Sequence, residues 1–264
     1  MSAAIKAELR KLFSTRLWWL LAIVLVAYLV FIGAVMAFSF TVDTEGMGAG
    51  MPEGEELARV IYSLTSPIGY VFPLIVGSLL FTGEFRHKTI TASLLAQPSR
   101  SILMGAKLVA GIVVGVIYGI IGTASTVAGS APILAWRGDG AFLGARSVLV
   151  LLGMSVLVMT IWALLGTAIG SVLTNQVAAI IVILAFTQFV EPIARVALAA
   201  WDATSEVARF MPGAAADAML GASFFAQDAS ADLLSRPAGA AVLLAYVLLF
   251  GLIGRFVTLR RDIA

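Results

Sequence analysis

The chain reads as an all-α polytopic membrane protein: six transmembrane helices, an N-terminal amphipathic interfacial helix, and short outer helices before the last span. Three observations predict this. Hydrophobic residues make up 61% of the chain and charged residues only 12%, about half the charged share of soluble domains. Mean hydropathy is +1.03. The apolar residues also gather into six runs, each long enough for the roughly 20 residues a bilayer crossing needs. Among 264 residues there is no Cys and a single His. That removes disulfide frameworks and thiolate metal sites, and with them most zinc, haem and Ser-His-Asp chemistry.

The first element is AAIKAELRKLFSTR, residues 3–16. Ile5, Leu9, Leu12 and Phe13 recur at i, i+4, i+7 and i+8, with Lys6, Arg10 and Lys11 elsewhere around the helix. Such a segment either lies in the inner headgroup region or serves only as a basic topology signal. The spans fall at 17–40, 60–81, 102–131, 146–173, 177–199 and 238–258. Span 1 is too long for the core of a signal peptide, so a retained helix is expected. The loop after it, residues 41–58, holds Asp43, Glu45, Glu53, Glu55 and Glu56 without a basic residue. Those carboxylates lack the spacing of a calcium loop and read as a solvated face.

Span 2 places Tyr62, Ser66, Tyr70, Pro73 and Gly77 on one helical face. That face either lines a substrate path or packs against a neighbour with a proline kink. Gly111, Gly115 and Gly119 in span 3, and Gly166 and Gly170 in span 4, form small-xxx-small patterns that let helices approach closely. Span 5 carries Gln188, Glu191 and Arg195. Glu191 lies roughly 21 Å into the span, where an ionised side chain costs up to about 3 kcal/mol on insertion scales. Glu191 and Arg195 are spaced to pair; the group belongs to a pathway or is a structural pair near the outer leaflet. Beyond span 5, WDATSEVARFMPGAAADAML (residues 201–220) offers Asp202 as an N-cap and a Pro212–Gly213 break between two short helices, expected on the outer face and partly re-entrant.

Lys and Arg set the orientation. With the N-terminus inside, Lys6, Arg10, Lys11, Arg16, Arg86, Lys88, Arg100, Lys107, Arg255, Arg260 and Arg261 are inner, 11 of the 17 basic residues. Both termini and the segment 82–101 are then expected in the cytoplasm, with the chain in a plasma membrane, a bacterial inner one.

That segment lies within FTGEFRHKTITASLLAQPSR, residues 81–100. Thr82 reads as the cap of a short helix, Glu84 as a partner for its dipole, and Pro98 as its end. Ile90 and Leu94 share a face. Gly83 and Lys88–Thr89 do not make a phosphate loop, because the Gly that must precede the Lys is absent and no strand comes before. ATP-driven work would therefore need another polypeptide.

The pattern Glu84, Arg86, Thr89, Leu94–Leu95, Pro98, Ser99–Arg100 and Lys107 resembles the loop between spans 2 and 3 of ABC type-2 transporter permeases. The family commonly has Gly where this chain has Lys88. The amphipathic start, six spans and outer helices before span 6 are similar in outline too. The resemblance implies one permease domain over residues 1–264, part of an exporter of a lipid-like, antibiotic or peptide substrate. In it, residues 82–101 would be a coupling helix that docks on a separate ATPase through Glu84, Arg86, His87, Lys88, Thr89 and Arg100. It implies two ATPase copies that bind ATP and Mg, no cofactor in this chain, a second permease subunit, identical or homologous, and no catalysis by the chain alone. Membrane lipids are the other expected partner, and nucleic acid is not one. An ATP-independent carrier or channel is the alternative, although no paired half-chain signature is visible. An intramembrane enzyme is disfavoured by the lack of clustered catalytic residues.

Overall fold

The computed structural model describes residues 1–41, 52–138, 140–199, 202–221 and 233–258. The described residues contain helices and no strand, and six helices are long and apolar enough to cross a membrane. The protein is an all-α, multi-pass membrane protein. Asp43, Glu45, Arg260 and Arg261, which entered the charge argument, lie outside the described residues.

α1 (Ser2–Ser14) ends where Thr15 turns extended and its hydroxyl donates to the Leu12 carbonyl at 2.9 Å. α2 (Leu17–Thr41) buries only Ala22, Leu25, Leu29, Gly33 and Ala37. These fall every three or four residues, the narrow stripe of a helix packed chiefly against one neighbour. That neighbour is α7 (Arg100–Arg137). Span 2 is broken into α3 (Gly54–Ser63), α4 (Thr65–Gly69) and α5 (Val71–Arg86). The junctions at Leu64 and Tyr70 each lie three residues before a proline, Pro67 and Pro73, whose rings disturb the preceding turn. Sequence reading anticipated only the second kink.

The charged segment also differs from expectation. Thr82 is not a cap. It lies inside α5, buried, with its hydroxyl donating to the Ser78 carbonyl at 3.0 Å. α5 runs on to Arg86, and Lys88 at φ 56° ends it in the left-handed region. The short helix is α6 (Ile90–Ala96), followed by the predicted stop at Pro98. Ser99 then caps α7, its Oγ accepting the Ile102 N–H.

α7 and α8 (Arg146–Val172) form the centre, with α2 against α7 and α5 against α8. The glycines mark these contacts. A Cβ on Gly111, Gly115 or Gly119 would meet Thr167, Thr160 or Val156 of α8, and one on Gly170 would meet Ser78 of α5. Their expected role as close-approach positions is therefore visible atom by atom. Trp162, Tyr62 and Tyr118 are the largest fully buried side chains in this core.

Span 5 consists of α9 (Gln176–Ala185), a π turn (Phe186–Val190) and α10 (Glu191–Ala199). Asn175 caps it by accepting the Val177 and Ala178 N–H groups. The Tyr70 hydroxyl donates to the Thr187 carbonyl at 3.0 Å, fastening α5 to the π turn. α11 (Asp202–Ala208) and α12 (Pro212–Leu220) follow, the second starting at Pro212 and ending at left-handed Gly221, as Pro and Gly preferences dictate. The Asp202 side chain lies outside the described residues. α12 is buried on nearly every side against α8 and α13 (Arg236–Ile253), which continues into a second π turn (Gly254–Thr258).

Candidate functional site

Four charged side chains meet at the end of the bundle that carries α1 and α6. Lys107, on α7, has no exposed surface. Its Nζ lies 2.7 Å from Glu8 Oε2, 2.9 Å from Glu84 Oε1 and 2.6 Å from the Leu80 carbonyl, and 5.0 Å from the centre of the Phe81 ring. Lys11 closes the group from the rim, 2.7 Å from Glu8 Oε1 and 2.6 Å from Glu84 Oε1, and donates to Ser93 Oγ at 3.0 Å. Two acids and two bases sum to zero. α1, α5, α6 and α7 are thereby joined through side chains up to 99 residues apart in sequence.

Burying charge is costly unless each ion is paired and hydrogen-bonded. Here Lys107 makes three polar contacts and the carboxylates bridge both lysines, so the geometry is of the kind that offsets desolvation. Burial alone would lower the Lys11 pKa, but the Glu8 and Glu84 carboxylates outweigh it and raise the ammonium above its ordinary 10.5. The Lys11 ion pairs are therefore fully present below that ordinary value and are lost only as pH rises through the raised one.

Sequence reasoning missed this cluster. Its signal was present: Glu8 stands within the apolar stripe of α1, one turn from both Ile5 and Leu12, where a solvated charge does not belong. Glu84, read as facing a partner, points inward and is 7% exposed. Arg86, His87, Lys88 and Thr89 are exposed and Arg100 is half-buried. The exposed turn thus presents cations, while the neighbouring acid is used internally. Beside it, an open groove of about 500 Å³ runs between α1 and α6, lined by Ala4, Ala7, Lys11, Ala92, Ser93 and Gln97 among others.

A second polar group lies at the opposite end. Tyr62, Ser66 and Tyr70 are buried within the chain, Tyr62 donating to the Ala141 carbonyl at 2.8 Å. Gln188 is exposed on the outside of span 5. Glu191 and Arg195 do not pair with each other, although their spacing permits it. Arg195 Nη2 lies 2.8 Å from Asp217 Oδ2, and Glu191 Oε1 accepts the Gly213 N–H. Both partners belong to α12, so the two side chains bind α10 to a helix about 20 residues further along. Asp217 went unnoticed because it sits in an Ala-rich helix and its Arg195 partner lies 22 residues away.

No protein-family model matches the chain, and no curated protein matches it.

Left-handed backbone costs a non-glycine residue about 1 kcal/mol. Lys88→Gly is therefore expected to raise thermal stability slightly, read as a melting temperature a few degrees higher. A lower melting temperature would show that the Lys88 side chain itself supports the turn.

Proposed function

We propose that the chain is the membrane-spanning permease subunit of an ABC exporter, driven by a separate ATPase. The observation that carries this reading is the turn and short helix at residues 86–96, presented on the surface and fastened through the Glu8–Lys11–Glu84–Lys107 cluster to α1, α5 and α7. A docking element must be exposed to its partner and stiffly joined to the spans it moves, and this one meets both conditions. The left-handed backbone at Lys88 lends further support, since Gly is common at that position in the family pattern and is the residue such a φ favours.

In this reading the α1 end faces the cytoplasm of a bacterial cell and Arg86, His87, Lys88 and Thr89 meet the ATPase, with Arg100 at the margin. Gln188, exposed at mid-span, is available to a substrate or to a second permease subunit. Lipid-like, antibiotic and peptide substrates all suit the apolar spans.

The experiment follows from the inward turn of Glu84. Reversing Glu84 would disturb the buried cluster and could not separate docking from folding. Arg86→Glu with Lys88→Glu alters only exposed cations. That pair should leave membrane level and melting temperature unchanged, yet weaken co-purification with the proposed ATPase subunit by tenfold or more and abolish stimulated hydrolysis. Full retention of both properties would refute docking at this turn.

A further inference from the structure

The two buried charge clusters differ in their sums. At the α1 end, Glu8 and Glu84 are matched by Lys11 and Lys107. At the α12 end, Glu191 and Asp217 share a single base, Arg195, and Arg195 is bound to Asp217 at 2.8 Å. Glu191 is 3% exposed. One of its oxygens accepts the Gly213 N–H in the first turn of α12; the other, Oε2, is buried and has no hydrogen-bond partner.

Among the described residues, the groups around Glu191 offer no second cation. Arg195 comes from α10 itself, Asp217 from α12, the Tyr70 phenol from the junction of α4 and α5, and the Tyr246 phenol from α13. Glu206 on α11 and Arg209 in the turn just after it pair with each other. A carboxylate buried with one N–H donor and a cation already taken is strongly unfavourable as an anion, and the usual relief is to bind a proton.

We propose that Glu191 is a proton-binding site whose free Oε2 holds a proton while α10 and α12 are apposed. The proton brings Glu191, Asp217 and Arg195 to zero net charge, as at the other end of the molecule. Oε1 keeps its bond from Gly213, so neutralisation leaves the contact with α12 in place. Burial this complete suits a proton rather than an ammonium group or a hydrated metal ion. Separating α12 from α10 lets water reach Glu191 and releases the proton to solvent, so acidic conditions favour the apposed arrangement. The inference stands independently of any ATPase partner.

The test is infrared difference spectroscopy on the purified chain in detergent, titrated over roughly pH 5–10. The wild-type protein should show the C=O stretch of a protonated carboxyl at neutral pH, lost on alkaline titration. Glu191→Gln, isosteric with the protonated acid, should lack that band. Asp217→Asn releases Arg195 to neutralise Glu191, and the band should then be absent throughout the titration. No protonated carboxyl at neutral pH in the wild type, or a band that survives Glu191→Gln, overturns the assignment. A band retained in Asp217→Asn overturns the charge-sharing on which it rests.

Discussion

Lys107→Met is expected to destabilise the protein by about 3–5 kcal/mol, the range for breaking a buried ion pair from one side. The methionine fills the space of the lysine stem, so little of the loss comes from a cavity. It comes from Glu8 and Glu84, 3% and 7% exposed, left with Lys11 as their one shared cation. Lys11 cannot replace Lys107, because its side chain is 45% exposed and an exposed cation is screened. Adding Glu8→Gln restores one acid to one base, and the double variant should recover part of the lost melting temperature. Additive losses in the two variants would mean that the four charges are not one unit. Lys11→Met, tested alongside, should cost clearly less than Lys107→Met.

The second large effect is expected at the crossing of α5 and α8. A Cβ on Gly166 would lie 2.0 Å from the Leu74 carbonyl oxygen, and one on Gly77 would lie 2.1 Å from that of Ala163. Both obstacles are backbone, so no side chain can rotate away and the helices must part. Overpacking a core costs about 1–3 kcal/mol where neighbours can adjust, and more where they cannot. Gly166→Ala should therefore fall at or above the upper end of that range in thermal unfolding. Gly153→Ala is the control on the same helix. Nothing lies within 4 Å of its Cβ, and removing a helical glycine there should stabilise by up to about 1 kcal/mol. Equal effects at the two positions would mean that α5 and α8 are not held by backbone contact.

The spans were legible because their cause is local. Twenty apolar residues in a row specify a helix in lipid without reference to the rest of the chain. The small-xxx-small positions were legible for the same reason, and so was the Pro212–Gly213 break at which α12 begins. What escaped is non-local. Glu8 meets Lys107 across 99 residues and Arg195 meets Asp217 across 22. No periodicity encodes such pairings, and the i, i+4 rule pointed Arg195 at the wrong acid. The other break in span 2 was passed over for a different reason: Pro67 lies inside the predicted span but off the face shared by Tyr62, Ser66, Tyr70 and Pro73.

The π turn in span 5 makes residue count as well as residue type a constraint. The buried positions Ala179, Ile183, Thr187 and Glu191 recur every four residues. A regular α-helix advances about 400° over four residues, so such a column drifts by about 40° at each step. The wider turn at Phe186–Val190 slows that drift and holds the column on one side. Deleting a single residue there would shift the phase of everything beyond it by about 100°, swinging Glu191 and Arg195 away from α12 and toward the hydrocarbon. Conservative substitutions within the five residues leave the phase untouched. Between its Asn175 cap and its Glu191 and Arg195 charges, span 5 therefore tolerates changes of spelling far better than changes of length.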